Sequence, residues 1–330
     1  MFHEPIREVN ERITIIEGKV GAGGELNRGY LVGKDELAII DTGVKGTIEE
    51  LFKKAVFNKG KDIKDVKYIF LTHPHPDTMG GVYRLKKMFP NAQVAINTKC
   101  EEILRDPKNF LKARYFHFTK KDKLYFAIKK DPFEDLHPLK ADIYFKDGDK
   151  FDLGDTRILT INFDGHCLGH TMFFATTEKA LFTGDALNIY PSLPHSYLID
   201  YSGSYKEWLK NIEFLLKATL PMIFPAHDQY QQDSHVKPYI NDVKDAFLEY
   251  ESQLIMAFSE QKYLTMDQLI ERVNRAQGII WYHPYTELAP RANMHAHLSK
   301  LIDEGKVQEN TKTSPVTYTY IGRDKDDWYF

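Results

Sequence analysis

Cysteine is nearly absent from this chain: Cys100 and Cys167 are the only two, far apart and outside any C-x-x-C pattern. That suits a reducing cytoplasm with free thiols better than a disulfide framework. Also missing is any apolar run near the ~20 residues that a bilayer span needs. The opening stretch, MFHEPIREVNERITII, lacks the apolar core of a signal peptide, so the expected location is the cytoplasm and no membrane partner is expected. Nor is there an excess of positive charge. The formal net charge is −3, which gives no global field toward nucleic acid, although a local basic patch stays open. No internal repeat or low-complexity tract occurs. What is present is a hydrophobic content of 42% and an aromatic content of 13%, enough for a sizeable core, with 28% charged residues to cover it. At 330 residues the chain exceeds one small domain of roughly 100–200 residues.

The first third alternates strand-like runs with turns. Arg12–Glu17, Gly29–Gly33 and Leu37–Asp41 are short, β-branched and bounded by glycine or charge. Gly21, Gly23 and Gly24 read as a plain turn, because no helix pattern and no Lys-Ser/Thr follow them. Helical periodicity runs from Thr47 to Phe57, with Thr47 as the expected N-cap. Tyr68–Leu71 is wholly apolar, as in a strand buried on both faces. A helix at Val82–Met88 and a strand at Gln93–Ile96 follow. Residues 99–140 then form a lysine-rich and aromatic-rich insert of the kind that is more often functional than decorative. Strands are expected near Asp155–Asn162, Met172–Thr176, Lys179–Thr183 and Met222–Phe224, with a helix at Ser204–Lys217. After about Gln231 the pattern becomes helical: Pro238–Glu260, Met266–Asn274 capped by Thr265, and Ala292–Glu304 stopped by Gly305. Two short strands close the chain, and the outline is that of a winged helix.

The chemistry gathers in His73-Pro74-His75-Pro76-Asp77. Proline pushes the residue before it toward extended geometry, so both histidines are expected to be extended. In an extended segment residues i and i+2 project the same way. Two imidazoles are thereby aimed at one point, as a zinc-like ion needs at about 2.0–2.1 Å. A polar turn with incidental histidines is the competing reading of this segment taken alone.

THPHPDTMGG resembles the HxHxDH signature of metallo-β-lactamase-fold hydrolases, placed after a buried strand as in that family. Further pieces follow in the family's order: DGHCLGHT (164–171), LFTGDA (181–186) and PAHD (225–228), with Asn27, Tyr30 and Asp41-Thr42-Gly43 matching the early pattern. The resemblance covers about residues 10–230. It implies an α/β fold, the four-layer αββα sandwich, over residues 1–232, and a small helical, winged-helix-like domain over 233–330. It implies a dinuclear site in which His73, His75 and His166 hold the first ion, Asp77 and His227 the second, and Asp185 bridges. His170 is expected beside the site rather than in it, and Asp41 is a candidate either for partner of a ligand imidazole or for turn-former in Asp-Thr-Gly. The implied cofactors are two divalent ions, zinc first, with iron or manganese as alternatives. A hydroxide shared by ions about 3.5–4 Å apart would attack a carbonyl or phosphoryl centre, and Asp77 would handle a proton as the catalytic residue.

Three positions depart from the family pattern. Thr78 stands where the signature ends in His, which leaves the second site short of a ligand and expected to be weaker; as another role, Thr78 could cap the following helix. Asp164 replaces a proline, and Cys167 a threonine. The expected substrate is a small ester, thioester, lactone or phosphodiester. Two redox and resistance relatives fit less well: flavodiiron reductases carry Glu at the position of His75, and antibiotic-destroying lactamases often use Cys at the position of Asp185. The tail segments 266–270 and 293–307 resemble the winged-helix tail of members that include endoribonuclease-like hydrolases. A nucleic-acid substrate therefore stays open as the alternative, although the mixed charge of the tail favours a packing, lid or homodimer role. The loop Tyr190–Tyr205, with His195, Tyr197 and Tyr201, is expected at the substrate mouth together with the 99–140 insert.

Overall fold

The computed structural model describes residues 4–20, 25–107, 136–187, 199–259, 261–278 and 285–322. The glycine loop at 21–24, the aromatic-rich part of the insert, and His195 and Tyr197 lie outside them. Strands β1 (Ile6–Glu8), β2 (Ile13–Val20), β3 (Glu25–Val32), β4 (Leu37–Ile40), β5 (Val66–Phe70), β6 (Gln93–Asn97) and β7 (Ile143–Phe145) lie side by side in chain order as one sheet. Pairing is antiparallel as far as β4 and parallel from β4 to β7. A second sheet holds β8 (Lys150–Asp152), β9 (Arg157–Asn162), β10 (Thr171–Ala175), β11 (Ala180–Gly184), β12 (Met222–Pro225) and β13 (Gln231–Gln232), again in chain order. It is antiparallel except for the β11–β12 pair.

The apolar runs are explained by burial on both faces of each strand. Along β2, Ile13 and Ile15 enter the core between the sheets while Ile16 enters the core beneath the helices. In β4, Ala38 and Ile40 face one way and Leu37 and Ile39 the other. Between the sheets, rings interlock: Phe70 meets Phe173 at 5.0 Å, and Tyr30 meets Phe182 at 5.0 Å. The outer face of the first sheet is covered by Glu49–Asn58 and Val82–Met88 through Phe52, Val56 and Leu85. That of the second is covered by Tyr205–Lys217 and Val236–Ala257 through Trp208, Ile212, Ile240 and Phe247. The layers are therefore helix, sheet, sheet, helix: the αββα sandwich that the motifs implied.

Helix Val236–Ala257 continues past this core. Its Tyr250 and Leu254 join Leu269 and Val273 of Met266–Ala276 and Met294, Leu298 and Leu301 of Tyr285–Asp303 in a further cluster. Strands β14 (Leu264–Thr265), β15 (Val307–Asn310) and β16 (Thr317–Tyr320) form a small antiparallel sheet beside it. Thr265 caps its helix in a reciprocal pair with Gln268, as the sequence predicts. His297 is fully buried and His295 exposed, so the two point apart. No helix among the described residues is long and apolar enough to cross a membrane.

The expected start of the first helix is corrected. Helix Glu49–Asn58 has Ile48, not Thr47, at its N-cap, with no side-chain cap bond. The Thr47 hydroxyl donates instead to the Val44 carbonyl at 2.5 Å, and Glu49 Oε1 accepts from the Gly46 N–H at 2.7 Å. The turn before the helix takes the cap for itself.

Phe247 stacks on Trp208 with ring centroids 4.0 Å apart, joining the long helix to the sandwich. Phe247→Ala should cost about 3–5 kcal/mol, as for other buried aromatic truncations, read as a lowered urea midpoint. A loss below about 1 kcal/mol, typical of surface changes, would mean that this helix does not help hold the sandwich.

Candidate metal centre

The HPHPD loop begins where β5 ends, and both sheets hold it. Thr72 N–H donates to Asp41 Oδ1 at 2.8 Å, and the Thr72 carbonyl accepts from Thr171 N–H at 2.8 Å across the seam. The Thr72 hydroxyl donates to Asp41 Oδ2 at 2.9 Å and lies 2.9 Å from His73 Nδ1. With its proton committed to Asp41, that oxygen accepts from Nδ1–H, which leaves the Nε2 lone pair of His73 facing inward. Asp41 therefore acts on His73 through Thr72. Burial pushes the Asp41 carboxyl up to about 8 even though hydrogen bonds from Thr72 act against the rise. Its φ of 60° is left-handed, a conformation that aspartate tolerates better than most side chains. His75 is extended (φ −81°, ψ 153°), and Pro76 sits at the first position of the short helix Pro76–Met79. At His75 the following proline acts as the sequence predicts.

His166 arrives on the loop between β9 and β10, which Phe163 N–H closes onto the His170 carbonyl at 2.8 Å. Gly165 is required there, because a Cβ would lie 2.8 Å from the Trp208 Cα. Asp164, the departure from proline, fastens the same loop by accepting from Gly169 N–H at 2.7 Å. The rings of His73, His75 and His166 stand at the corners of a nearly equilateral triangle, with centroids 4.6, 4.7 and 4.8 Å apart. His166 Nε2 and His75 Nδ1 are 2.9 Å apart. Burial lowers the pKa of His73 well below its usual value and keeps the ring neutral, as a metal ligand must be.

Asp185 follows Gly184, whose φ of +50° and closeness to Thr72 Oγ1 (2.6 Å from a would-be Cβ) exclude a side chain. Its two oxygens face opposite ways. Oδ2 lies 3.7 Å from both His73 Nε2 and His166 Nε2, and Oδ1 lies 3.4 Å from His227 Nε2. Burial opposes its charge, but His227 outweighs that by charge and hydrogen bond and holds the carboxyl well below the usual range. Burial likewise opposes charge on His227, where Asp185 and Asp77 outweigh it and raise the pKa well above normal. His227 Nδ1 donates to the Leu26 carbonyl at 2.8 Å, which aims Nε2 at Asp77 Oδ2, 3.1 Å away.

Two groups of ligand atoms thus converge: His73, His75, His166 and Asp185, and Asp77, Asp185 and His227. All six residues singled out in the sequence come together, and the donor set of imidazoles and carboxylates suits a divalent ion. Asp77 Oδ1 is buried with no hydrogen-bond partner among the described residues, a costly state that a cation would relieve. His170 stays beside the groups: its Nε2 accepts from Asp185 N–H at 3.1 Å, so it holds the backbone of Asp185. Cys167 is buried. Thr78 does not cap the next helix, whose N-cap is Gly81; its hydroxyl lies over the His73 ring at 3.3–3.4 Å. One residue escaped the sequence reading. Asp200 Oδ2 lies 3.1 Å from His75 Nε2. It stands in the loop picked out for its aromatics, and its only sequence signal is the turn pattern Asp-Tyr-Ser-Gly. Tyr201 beside it packs on His295 of the tail at 5.2 Å.

A family model, the metallo-beta-lactamase superfamily, matches residues 26–227. A hydroxyacylglutathione hydrolase from Francisella philomiragia is 26% identical over 237 residues, 72% of this chain and 76% of that protein. An atrochrysone carboxyl ACP thioesterase from Emericella nidulans is 24% identical over 310 residues, 92% of this chain and 82% of that protein. Among solved structures, a metallo-beta-lactamase family protein from Thermus thermophilus is similar with a TM-score of 0.74 at 20% identity. It covers 95% of this chain and 100% of its own. A beta-lactamase domain protein from Burkholderia ambifaria gives 0.74 at 15%, covering 96% and 94%. The family match spans both converging groups from end to end, and the chain is a hydrolase belonging to the metallo-beta-lactamase superfamily.

Proposed function

We propose that this chain is a dinuclear metal-dependent thioester hydrolase. The observation that carries the reading is the pair of ligand groups meeting at Asp185, whose two oxygens face different groups. We assign His73 Nε2, His75 Nδ1 and His166 Nε2 to a first divalent ion and Asp77 and His227 Nε2 to a second, with Asp185 between them. Zinc is the favoured metal, with iron or manganese as alternatives. Bound there, the ions would supply Lewis-acid activation of water and of the scissile carbonyl. Asp77 is also the catalytic side chain in this reading: its carboxylate would hold the proton released by the attacking water. The thioester class is supported by the names of two relatives, one covering most of the catalytic fold and one most of the chain. We place the domain division at residues 232 and 233 and read the tail as a winged-helix-like module that packs on the catalytic domain. The shared burial of Ala296 with Trp208 and Phe247 supports that packing. Neither Cys100 nor Cys167 is in a disulfide, which supports a cytoplasmic setting.

The reading is tested by a panel of acyl-glutathione and acyl-pantetheine thioesters, lactones, oxoesters, phosphodiesters and RNA, with zinc, manganese and iron supplied separately. The highest kcat/KM should fall on a thioester; a phosphodiester or RNA outpacing every thioester would overturn the assignment. Asp185→Asn removes the bridging charge, and kcat should drop by about 100-fold or more, the scale of losing one preorganised electrostatic contact. Metal analysis of that variant should find both ions depleted. Full metal content with native turnover would end the dinuclear assignment.

Thr78 generates a separate expectation. A hydroxyl is a poor ligand beside imidazole, so mild chelation should strip one ion first and leave about one per chain with reduced activity. Thr78→His should tighten the weaker site in a zinc titration. Two equally tight sites in the native protein, unchanged by the substitution, would mean that Thr78 has no bearing on the second ion.

A further inference from the structure

We infer that Asp200 is a positioning residue: it accepts the hydrogen bond from His75 Nε2–H and thereby turns Nδ1 toward the first ion. The inference rests on the metal assignment above and goes beyond its six residues. Asp200 Oδ2 lies 3.1 Å from His75 Nε2, on the far side of the ring from His166. An imidazole that donates from Nε2 keeps its lone pair on Nδ1, so this one contact selects both the tautomer and the ring orientation that ligation by Nδ1 requires.

The carboxylate is itself held firmly. Its Oδ1 accepts from Ser202 N–H at 2.7 Å, from the Ser202 hydroxyl at 2.6 Å and from Gly203 N–H at 3.0 Å. With Oδ1 so committed, Oδ2 is the oxygen aimed at His75. Asp200 N–H donates to the His166 carbonyl at 2.9 Å, so the same residue also fixes the backbone of a second ligand. Its side chain is 2% exposed, and water does not compete for the contact. The arrangement parallels those at the other rings. Thr72 holds the outer nitrogen of His73, and the Leu26 carbonyl holds that of His227. Asp200 does for His75 what those groups do for their rings, and it brings a charge to the task.

A competing role exists on the same atoms. His75, Cys167 and Asp200 also lie within reach of one cation. Ligation there through His75 Nε2 would compete with the Asp200 hydrogen bond, so the two arrangements make different predictions for Asp200 variants.

The test is a titration of the metal-free full-length protein with Co2+, followed by its visible absorption, for native protein, Asp200→Asn, Asp200→Ala and His75→Ala, alone and combined with Asp200→Ala. Asp200→Ala should weaken the first ion by about 10–100-fold, the range for losing an outer partner of a ligand, with no change in ion stoichiometry at saturation. Asp200→Asn keeps the acceptor for the Ser202–Gly203 turn and should fall between native and Ala, with an unchanged thermal midpoint of the metal-free protein. In the His75→Ala background, removal of Asp200 should cost nothing more, because its route of action is gone. Native affinity in both Asp200 variants, or full additivity with His75→Ala, would overturn the inference. A lost equivalent of Co2+ in Asp200→Ala with an altered thiolate absorption would make Asp200 a ligand beside Cys167 and would overturn it as well. If the native protein takes up no Co2+, the metal assignment and this inference fall together. If native binding is tight and Asp200→Ala matches it, only this inference fails.

Discussion

A carboxylate taken out of water must find compensating charge or give up its own. Asp185 is that carboxylate here, 1% exposed and set at the seam of the two sheets. The surrounding structure reads as the answer to its burial. His73 and His166 face one oxygen and His227 the other, while His170 accepts from its backbone N–H. Gly184 clears the space in which Thr72 can approach, and Thr72 in turn sets His73. Removing one imidazole would leave a buried anion short of a partner, so the residues of the centre stand or fall together.

The parts of the fold that were legible in the sequence are those whose burial leaves a pattern. Strands β2, β4 and β5 are apolar on both faces, and their runs stand out because both neighbouring layers are helices or another sheet. The strands without such a signal are β1, β7, β8 and β13, which are the edges of the two sheets and only two or three residues long. An edge strand has one partner and partial exposure, so neither alternation nor an apolar run marks it. The helix cap at Thr47 failed for a related reason. Its hydroxyl had a nearer acceptor in the Val44 carbonyl, a choice made by turn geometry that residue type does not reveal.

The centre divides along the same line. His75 was legible because proline constrains the backbone before it, and that local rule survives folding. Convergence with His166, Asp185 and His227 came from motif order, since no spacing rule joins residues so far apart in sequence. Asp200 lay beyond both approaches. Its meaning comes from a turn that folds back on the His166 loop and from a neighbour, Tyr201, that rests on the tail helix. The tail therefore touches the residue adjacent to a candidate ligand support, although no tail side chain enters either ligand group among the described residues.

One further consequence follows from where the six side chains originate. His73, His75 and Asp77 belong to the first sheet's loops, and His166, Asp185 and His227 to the second's. Ions held as proposed would rivet the two halves of the sandwich across their seam, so binding free energy would count directly toward resistance to unfolding. Proteolytic lifetime would then track the ambient supply of that metal. In a metal-poor cell the abundance of the protein would fall along with its turnover number, and the molecule would ration itself by the availability of its own cofactor.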